Sequence, residues 1–377
     1  MHLVTTSGRI ATTTRFALRE TVEAFTAADG NVYVLRGGTD AEFVIEDPSP
    51  LDRALVELLH SPATLDELCN TLRRRGHETE PGALALIIEQ LDELDLVSEF
   101  PVRYVGLSAE DRSRYDRQLV YFDDLIGVGA PAVEAQRRLL SATVTIVGVG
   151  ALGSWTAAGL ACAGVGRLVL IDDDTVELSN LNRQLLYRRC DVGRPKVDAA
   201  ADALAAFNPG IEIVRMHRRI DGADDVARVA AGSDLVVGTA DHPPHEIARW
   251  LNRGCVAAGV PHVTASQFAP MVKVGPLFRP GVTGCLACAE RSARDRYPDY
   301  DALVAYRQGR PIAGATLGPP SALIGAIISM DAVHLITGAA TPSTQGRSLM
   351  FDVRDLSMRV EDVAQDDGCE VCSPRAA

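Results

Sequence analysis

Two hydrophobic patterns divide the chain. Between residues 31 and 100, short strand-like runs are followed by helical spacing. Asn-Val-Tyr-Val-Leu-Arg at 31–36 and Glu-Phe-Val-Ile-Glu at 42–46 read as two strands around Gly37, Gly38, Thr39 and Asp40, which predicts a hairpin. Three amphipathic helices are expected next, over 51–59, 65–73 and 82–94, with Ser61 and Pro62 as a break and Thr64 placed to cap the second. The third gathers Leu84, Ile87, Ile88, Leu91 and Leu94 on one face, and residues 95–98 read as a closing strand. After a helix ending near Leu140 the apolar residues become continuous runs. Those at 143–147, 168–171 and 235–238 predict buried strands, the first two joined by an alanine-rich helix ending near Gly164 and Gly166. Another apolar helix is expected over 322–336.

At 377 residues and 47% hydrophobic composition, with a mean hydropathy of +0.06, the chain can bury a large core and is expected to hold two domains. A net charge of -13 argues against a polyanion-binding surface and excludes nucleic acid as the expected partner. Residues 1–19 lack a continuous apolar core, which predicts no secretory signal and a cytoplasmic chain. The apolar region over 144–171 is interrupted by glycines, Ser154, Thr156 and Arg167. It is therefore expected to be strand, helix and strand, with no membrane span.

The strand at 143–147 ends in Gly148, Gly150 and Gly153, the spacing of a nucleotide-binding turn. Gly148 permits the tight turn, Gly150 lets a phosphate or ribose approach the backbone, and Gly153 lets the helix pack on the sheet. Asp172 closes the next strand, about twenty residues on, where an acidic side chain binds ribose hydroxyls. The glycines alone would equally suit a dinucleotide dehydrogenase. Asn180, Asn182, Arg183 and Gln184 form a second polar cluster soon after Asp172 for which a dehydrogenase has no obvious need. Eight cysteines include two Cys-x-x-Cys hooks, Cys285 with Cys288 and Cys369 with Cys372. In a chain without a signal peptide such hooks are expected to share a structural zinc, since four thiolates leave no open position; a redox pair is the alternative. Cys69, Cys162, Cys190 and Cys255 are expected as core filler.

The order of hairpin and three helices over 28–100 resembles the PqqD-like winged-helix modules that bind leader peptides of ribosomally made, modified peptides. That resemblance implies an extended peptide pairing with the hairpin edge beside a groove at the third helix. A winged-helix domain that only packs or dimerises would share the pattern. From residue 114 the chain is similar to the ubiquitin-activating-type (ThiF/MoeB-like) adenylyltransferases. The matching motifs are Arg-Tyr-Asp-Arg-Gln at 114–118, the glycine turn, the 172–184 segment, Gly-Arg-Pro-Lys-Val at 193–197, the Asp241 loop and both cysteine hooks. Within them, Thr-Ala-Asp-His-Pro at 239–243 and the 275–285 segment resemble the microcin C (MccB-like) branch, which activates the C-terminus of a small peptide.

These resemblances imply an α/β fold: a doubly wound Rossmann-like adenylation domain over 141–377, with a crossover loop at about 289–320. A winged-helix domain over 1–102 and a helical connector over 103–140 would precede it. Joining a carboxylate to a triphosphate brings two anions together, so positive charge must be prepositioned. Arg183 and Lys196 are the candidates. By resemblance, Asn180 lies near the α-phosphate, Gln184 binds the nucleotide, Asp241 holds magnesium, and Arg117 reaches the neighbouring subunit's site in a homodimer. Mg-ATP, or CTP in its place, is the expected nucleotide, and a ribosomal precursor peptide the expected partner. His242 and His245 need not act as bases, because a carboxylate nucleophile is already ionised at neutral pH. No cysteine lies between Cys288 and Cys369, which disfavours covalent thiol transfer there. Two other readings are a leader-binding module without catalysis and a sulfur-carrier protein adenylyltransferase.

Overall fold

The computed structural model describes residues 13–37, 42–101, 104–127, 129–308 and 315–373. The chain divides into two compact units, Met1–Val133 and Glu134–Ala377.

The first unit opens with β1 (Arg15–Leu18), β2 (Val22–Thr26), β3 (Val32–Arg36) and β4 (Glu42–Ile45). The turn expected at Gly38, Thr39 and Asp40 lies outside the described residues. There follow α1 (Pro50–Leu59), β5 (Ala63–Thr64), α2 (Leu65–Arg74), α3 (Pro81–Glu93) and β6 (Val97–Phe100). Thr64 caps α2 reciprocally: its hydroxyl accepts the Glu67 N–H at 3.2 Å, and the Glu67 carboxylate accepts the Thr64 N–H at 2.9 Å. Two three-stranded sheets result, ordered β5-β1-β6 and β2-β3-β4. Phe16, Leu55, Leu59, Leu68, Leu72, Leu84, Ile88 and Val97 are buried between the helices and the first sheet.

Two further helices, α4 (Ala109–Arg114) and α5 (Asp116–Ile126), belong to this unit. α5 buries Leu119 and Phe122, and polar bonds also tie it down. The Tyr104 hydroxyl donates to the Asp123 carboxylate at 2.5 Å, Thr21 donates to Asp124 at 2.6 Å, and the buried Arg19 guanidinium pairs with Asp95 and reaches the Asp123 carbonyl. The segment 103–140 is thus divided, and α6 (Ala130–Ser141) carries the chain into the second unit.

The second unit begins with β7 (Thr143–Val147), α7 (Ala151–Ala163), β8 (Arg167–Ile171), α8 (Lys196–Phe207) and β9 (Glu212–Met216). It continues through α9 (Ala223–Ala230), β10 (Leu235–Gly238), α10 (Glu246–Ala258), β11 (His262–Phe268) and β12 (Met271–Phe278). The last elements are α11 (Leu286–Arg296), α12 (Tyr300–Gln308), α13 (Gly318–Thr337), β13 (Arg347–Asp352) and β14 (Met358–Asp362). One eight-stranded sheet runs β14-β13-β12-β11-β10-β7-β8-β9. Strands β11, β10, β7, β8 and β9 are parallel, and β12 to β14 continue antiparallel.

From β7 the chain lays β8 and β9 on one side and then β10 and β11 on the other. The carboxyl ends of β7 and β10 therefore flank the topological switch point, where doubly wound sheets bind ligands. On one face α13 lies against α7, with Gly325 against Trp155 and Gly159 against Ser329, so the two backbones approach closely. Among the described residues α13 is the one helix long and apolar enough to cross a membrane, and Ser321, Ile324, Gly325, Ile328 and Ala332 are buried within this unit.

Two expectations are corrected. The charged stretch after Cys288 is largely helical, not loop, through α11 and α12, which Arg294 links by reaching Asp301 at 2.9 Å and lying over the Tyr300 ring. Of the four cysteines expected as core filler, Cys69 and Cys255 are buried but Cys162 and Cys190 are exposed.

Candidate active site

Gly148 follows β7 with φ of +92°, a left-handed value that a side chain resists, and a Cβ there would lie 2.5 Å from the Ala240 nitrogen. This closeness joins the glycine turn to the loop after β10. The Ala240 N–H donates to the Val147 carbonyl at 2.8 Å, and the Thr239 hydroxyl donates to the Gly148 carbonyl at 2.6 Å. Asp241 comes next in the chain, exposed, at the carboxyl end of β10. A Cβ on Gly153 would overlap the Gly148 carbonyl, so this glycine seats α7 beneath the turn. Gly150 is different: a Cβ there would meet only the Gln184 amide nitrogen, at 3.9 Å. That leaves an open cradle.

Asp172, at the end of β8, binds the same turn. Its carboxylate accepts the Val149 N–H at 2.7 Å and the Asp174 N–H at 2.9 Å. Burial pushes its carboxyl up, while the Lys196 charge and these two N–H groups pull it down. The loop after Asp172 pairs with the Gly193 loop through Val176 and Arg194, and this pairing brings Lys196 to Asp174. The buried Lys196 ammonium lies 2.7 Å from the Asp174 carboxylate, which itself stays largely exposed.

The turn carrying Asn180, Arg183 and Gln184 is fixed from several sides. The buried Asn180 carboxamide accepts the Glu177 N–H at 3.0 Å. The Arg183 guanidinium donates to the Ser179 carbonyl at 2.6 Å and to the Asn182 side chain at 3.0 Å. From α7, the Trp155 indole N–H donates to the Arg183 carbonyl at 3.0 Å, and the Ser154 hydroxyl accepts the Leu185 N–H at 3.1 Å. Gln184 is buried, and its Oε1 has no hydrogen-bond partner among the described residues. An open backbone cradle beside an unpartnered buried acceptor fits a nucleotide. Arg117 is exposed on α5 in the first unit, paired with Glu20 at 3.4 Å and with Asp116.

Several participants escaped the sequence reading. Asp173 and Asp174 set their carboxylates beside that of Asp172, and Asp173 pairs with Arg219 at 2.8 Å. Three consecutive aspartates at a strand end were the available signal. Thr239, Ser154 and Trp155 carried none, because their partners are remote in sequence. His245, the residue before α10, adopts φ of +64°. Burial, then the charges of Arg307 and Arg249, lower its imidazole, so it stays neutral near pH 7.

Trp155→Phe keeps a ring against α13 but strips the donor from the Arg183 carbonyl. A loss of about 1–2 kcal/mol is expected by denaturant unfolding. An unchanged midpoint would mean that water replaces the indole without cost.

The four hook cysteines come together. Cys285 and Cys369 sulfurs are 3.7 Å apart, Cys288 and Cys372 sulfurs 3.5 Å, and all four lie within 4.8 Å of one another. Tetrahedral zinc with Zn–S near 2.3 Å requires sulfurs about 3.8 Å apart, so this group could bind zinc. The Asn252 side chain accepts the Leu286 N–H at 2.9 Å, and the Val371 N–H points at the Cys369 sulfur at 3.4 Å, fixing both hooks.

A doubly wound sheet with an open glycine cradle after β7 and a carboxylate at the end of the neighbouring strand β8 marks a nucleotide-binding α/β protein. Comparison with known proteins makes the class specific. The chain belongs to the ThiF family, whose model matches residues 115–371, and it is an adenylyltransferase of that family. The molybdopterin-synthase adenylyltransferase of Escherichia coli K12 is 33% identical over 268 residues, covering 71% of this chain and 98% of that protein. The sulfur carrier protein ThiS adenylyltransferase of the same strain is 31% identical over 266 residues, covering 71% and 97%. Among solved structures, Escherichia coli MccB with ATP matches at a TM-score of 0.74 and 24% identity, covering 95% of this chain and all of that one. PaaA matches at 0.71 and 25% identity, covering 91% and 99%.

Proposed function

We propose that this enzyme activates a carboxylate of a ribosomally made peptide by taking the nucleoside monophosphate of Mg-ATP. The observation that carries the reading is the extent of the likeness to MccB, which includes the first unit, whereas the family model begins only at residue 115. That unit is then a PqqD-like winged-helix module, residues 1–102 in essence, that holds the peptide. Other MccB structures are described as complexes with MccA, one of them N-formylated.

In this reading the triphosphate lies over the Gly148 to Gly153 turn, at the N-terminus of α7, whose free N–H groups favour anions. Asp172 takes the ribose hydroxyls, Asn180 lies near the α-phosphate, and the unpartnered Gln184 oxygen accepts from the nucleotide. Arg183 and Lys196 neutralise the phosphates; Asp174 holds Lys196 extended until they arrive. Magnesium at Asp241 would supply further charge neutralisation, an oxygen ligand suiting that ion. A peptide carboxylate oxygen attacks the α-phosphorus, the bond to the bridging oxygen of the β-phosphate breaks, and pyrophosphate leaves with both electrons. Arg117 serves the neighbouring site of a homodimer. Zinc on the four cysteines is structural, and the enzyme works in the cytoplasm. CTP in place of ATP is decided by the base, which none of these residues reads.

Activation of a sulfur-carrier protein is the second reading, favoured by the higher identity to the ThiS and molybdopterin-synthase enzymes. The deciding experiment is exchange of labelled pyrophosphate into ATP. Synthetic peptides with free C-termini, their C-terminal amides and purified ThiS are compared as acceptors. Exchange with free peptides and none with the amides supports C-terminal activation. Exchange with ThiS alone would overturn the peptide assignment.

A further inference from the structure

The sheet β2-β3-β4 has two unlike faces. Val22, Ala24, Val32 and Val34 are buried on the inner one, with Leu96 and Leu91 packed against them. Alternation turns Phe25, Tyr33 and Val44 outward, and the strand register sets Phe25 opposite Tyr33 and Tyr33 opposite Val44. The rings of Phe25 and Tyr33 stack with centroids 5.9 Å apart. Phe25 is 48% exposed and Val44 41%. An aromatic and aliphatic row thus crosses three strands in contact with solvent. It spans about 10 Å, the length of three residues of extended peptide.

Asp29 borders this row, and Arg53 is the guanidinium bonded at the neighbouring Gly30 carbonyl. Asp29 accepts the Tyr33 hydroxyl at 2.9 Å and is exposed, and the Asn31 backbone N–H holds its carboxyl below the usual range. Glu23, Glu46 and Asp47 are exposed nearby in sequence on the same strands and turn. The imbalance extends to the whole unit. Residues 1–133 hold 12 arginines and no lysine against 23 acidic side chains, whereas residues 134–377 hold 25 basic against 27 acidic. Nearly all of the chain's net negative charge therefore lies in the first unit. A second copy would meet the same charge and be repelled, and a nucleic acid more so. A guanidinium or ammonium would be attracted both to the ring faces and to the carboxylate rim.

We infer that the outer face of β2-β3-β4 docks a cationic segment of the peptide substrate, with arginine or lysine interspersed among apolar residues. The word substrate rests on the peptide-activating reading; the docking does not. The test is fluorescence anisotropy of the full chain with labelled 12-residue peptides made of repeated Arg-Leu-Gly, the same with citrulline for arginine, and the same with glutamate. The arginine peptide is expected to bind at least ten-fold more tightly than the other two. Phe25→Ser and the double variant Glu23→Gln/Asp29→Asn are each expected to weaken it by ten-fold or more. Phe25 is exposed, so its variant should melt as the wild type does. Glu89→Gln/Glu93→Gln on α3, the helix whose Leu91 packs on the inner face, is expected to bind normally. Equal loss in that control, or undiminished binding by Phe25→Ser, would overturn the inference. Pyrophosphate exchange in the same preparations scores activation independently, so failure of docking and failure of the activating reading are separate results.

Discussion

Arg183→Ala is expected to lower the rate of pyrophosphate exchange by roughly 10²- to 10³-fold, the usual cost of losing one prepositioned charge at a developing anion. Its guanidinium donates to the Ser179 carbonyl and the Asn182 side chain, both within its own turn. The turn is independently held by Trp155 and Ser154, so the variant should fold normally. Lysine at 183 would restore charge without the planar fork and should recover only part of the rate. Thermal denaturation gives a readout that needs no peptide. Mg-ATP at about a hundred times its dissociation constant adds roughly 2.7 kcal/mol, a rise of several degrees in the wild type. Arg183→Ala should lose most of that rise. If it kept both the rise and the exchange rate, Arg183 would have no part in binding phosphate.

Removing the metal from the cysteine cluster should be the largest stability effect. Cys285 and Cys369 are 84 positions apart, so a shared ion closes a long loop and pins the C-terminal tail to the start of α11. By analogy with a disulfide over such a loop, closure contributes about 4–5 kcal/mol, which in a unit of this size corresponds to roughly 10 °C or more. Elemental analysis is expected to find one zinc per chain. Cys288→Ser or a strong chelator should then lower the melting temperature by that amount and expose the tail to proteolysis. The Arg291–Asp366 pair also ties the two segments, with Arg291 exposed and Asp366 half-buried. A chain whose melting temperature neither the chelator nor Cys288→Ser changed would reduce the cluster to four packed thiols.

Local chemistry was readable in the sequence wherever a residue acts through its own neighbours. The Gly148 turn, the Thr64 cap and the strands β7, β8 and β10 depend on spacing within about ten positions, and all were legible. So were the paired hooks, whose sulfurs the fold brings together. What escaped depends on distant partners. β1 is a strand because it pairs with β6 across more than eighty positions, and its own four residues offer little alternation. Likewise Tyr104, Asp123 and Arg19 tie α5 into the first unit through polar contacts whose partners are remote in sequence. The helices α11 and α12 were hidden by their charge density, and Arg294 finds Asp301 only once both helices are in place. At the site, Asp172 was legible as a carboxylate at a strand end. That it also ties down the Val149 amide could be seen only in three dimensions.

The switch point has an evolutionary consequence. The glycine turn, Asp172, Lys196 and Asp241 follow three adjacent strands, β8, β7 and β10, of the eight-stranded sheet. Strands β12 to β14 lie on the far side of β11 and contribute none of these groups. Changes confined to those three antiparallel strands therefore act on these candidate site residues only through neighbouring elements such as α13, whose Gly318 packs on the Asn182–Arg183 turn. In the peptide-activating reading, such a scaffold could exchange one acceptor for another at its margin while the proposed phosphate-facing residues keep their spacing.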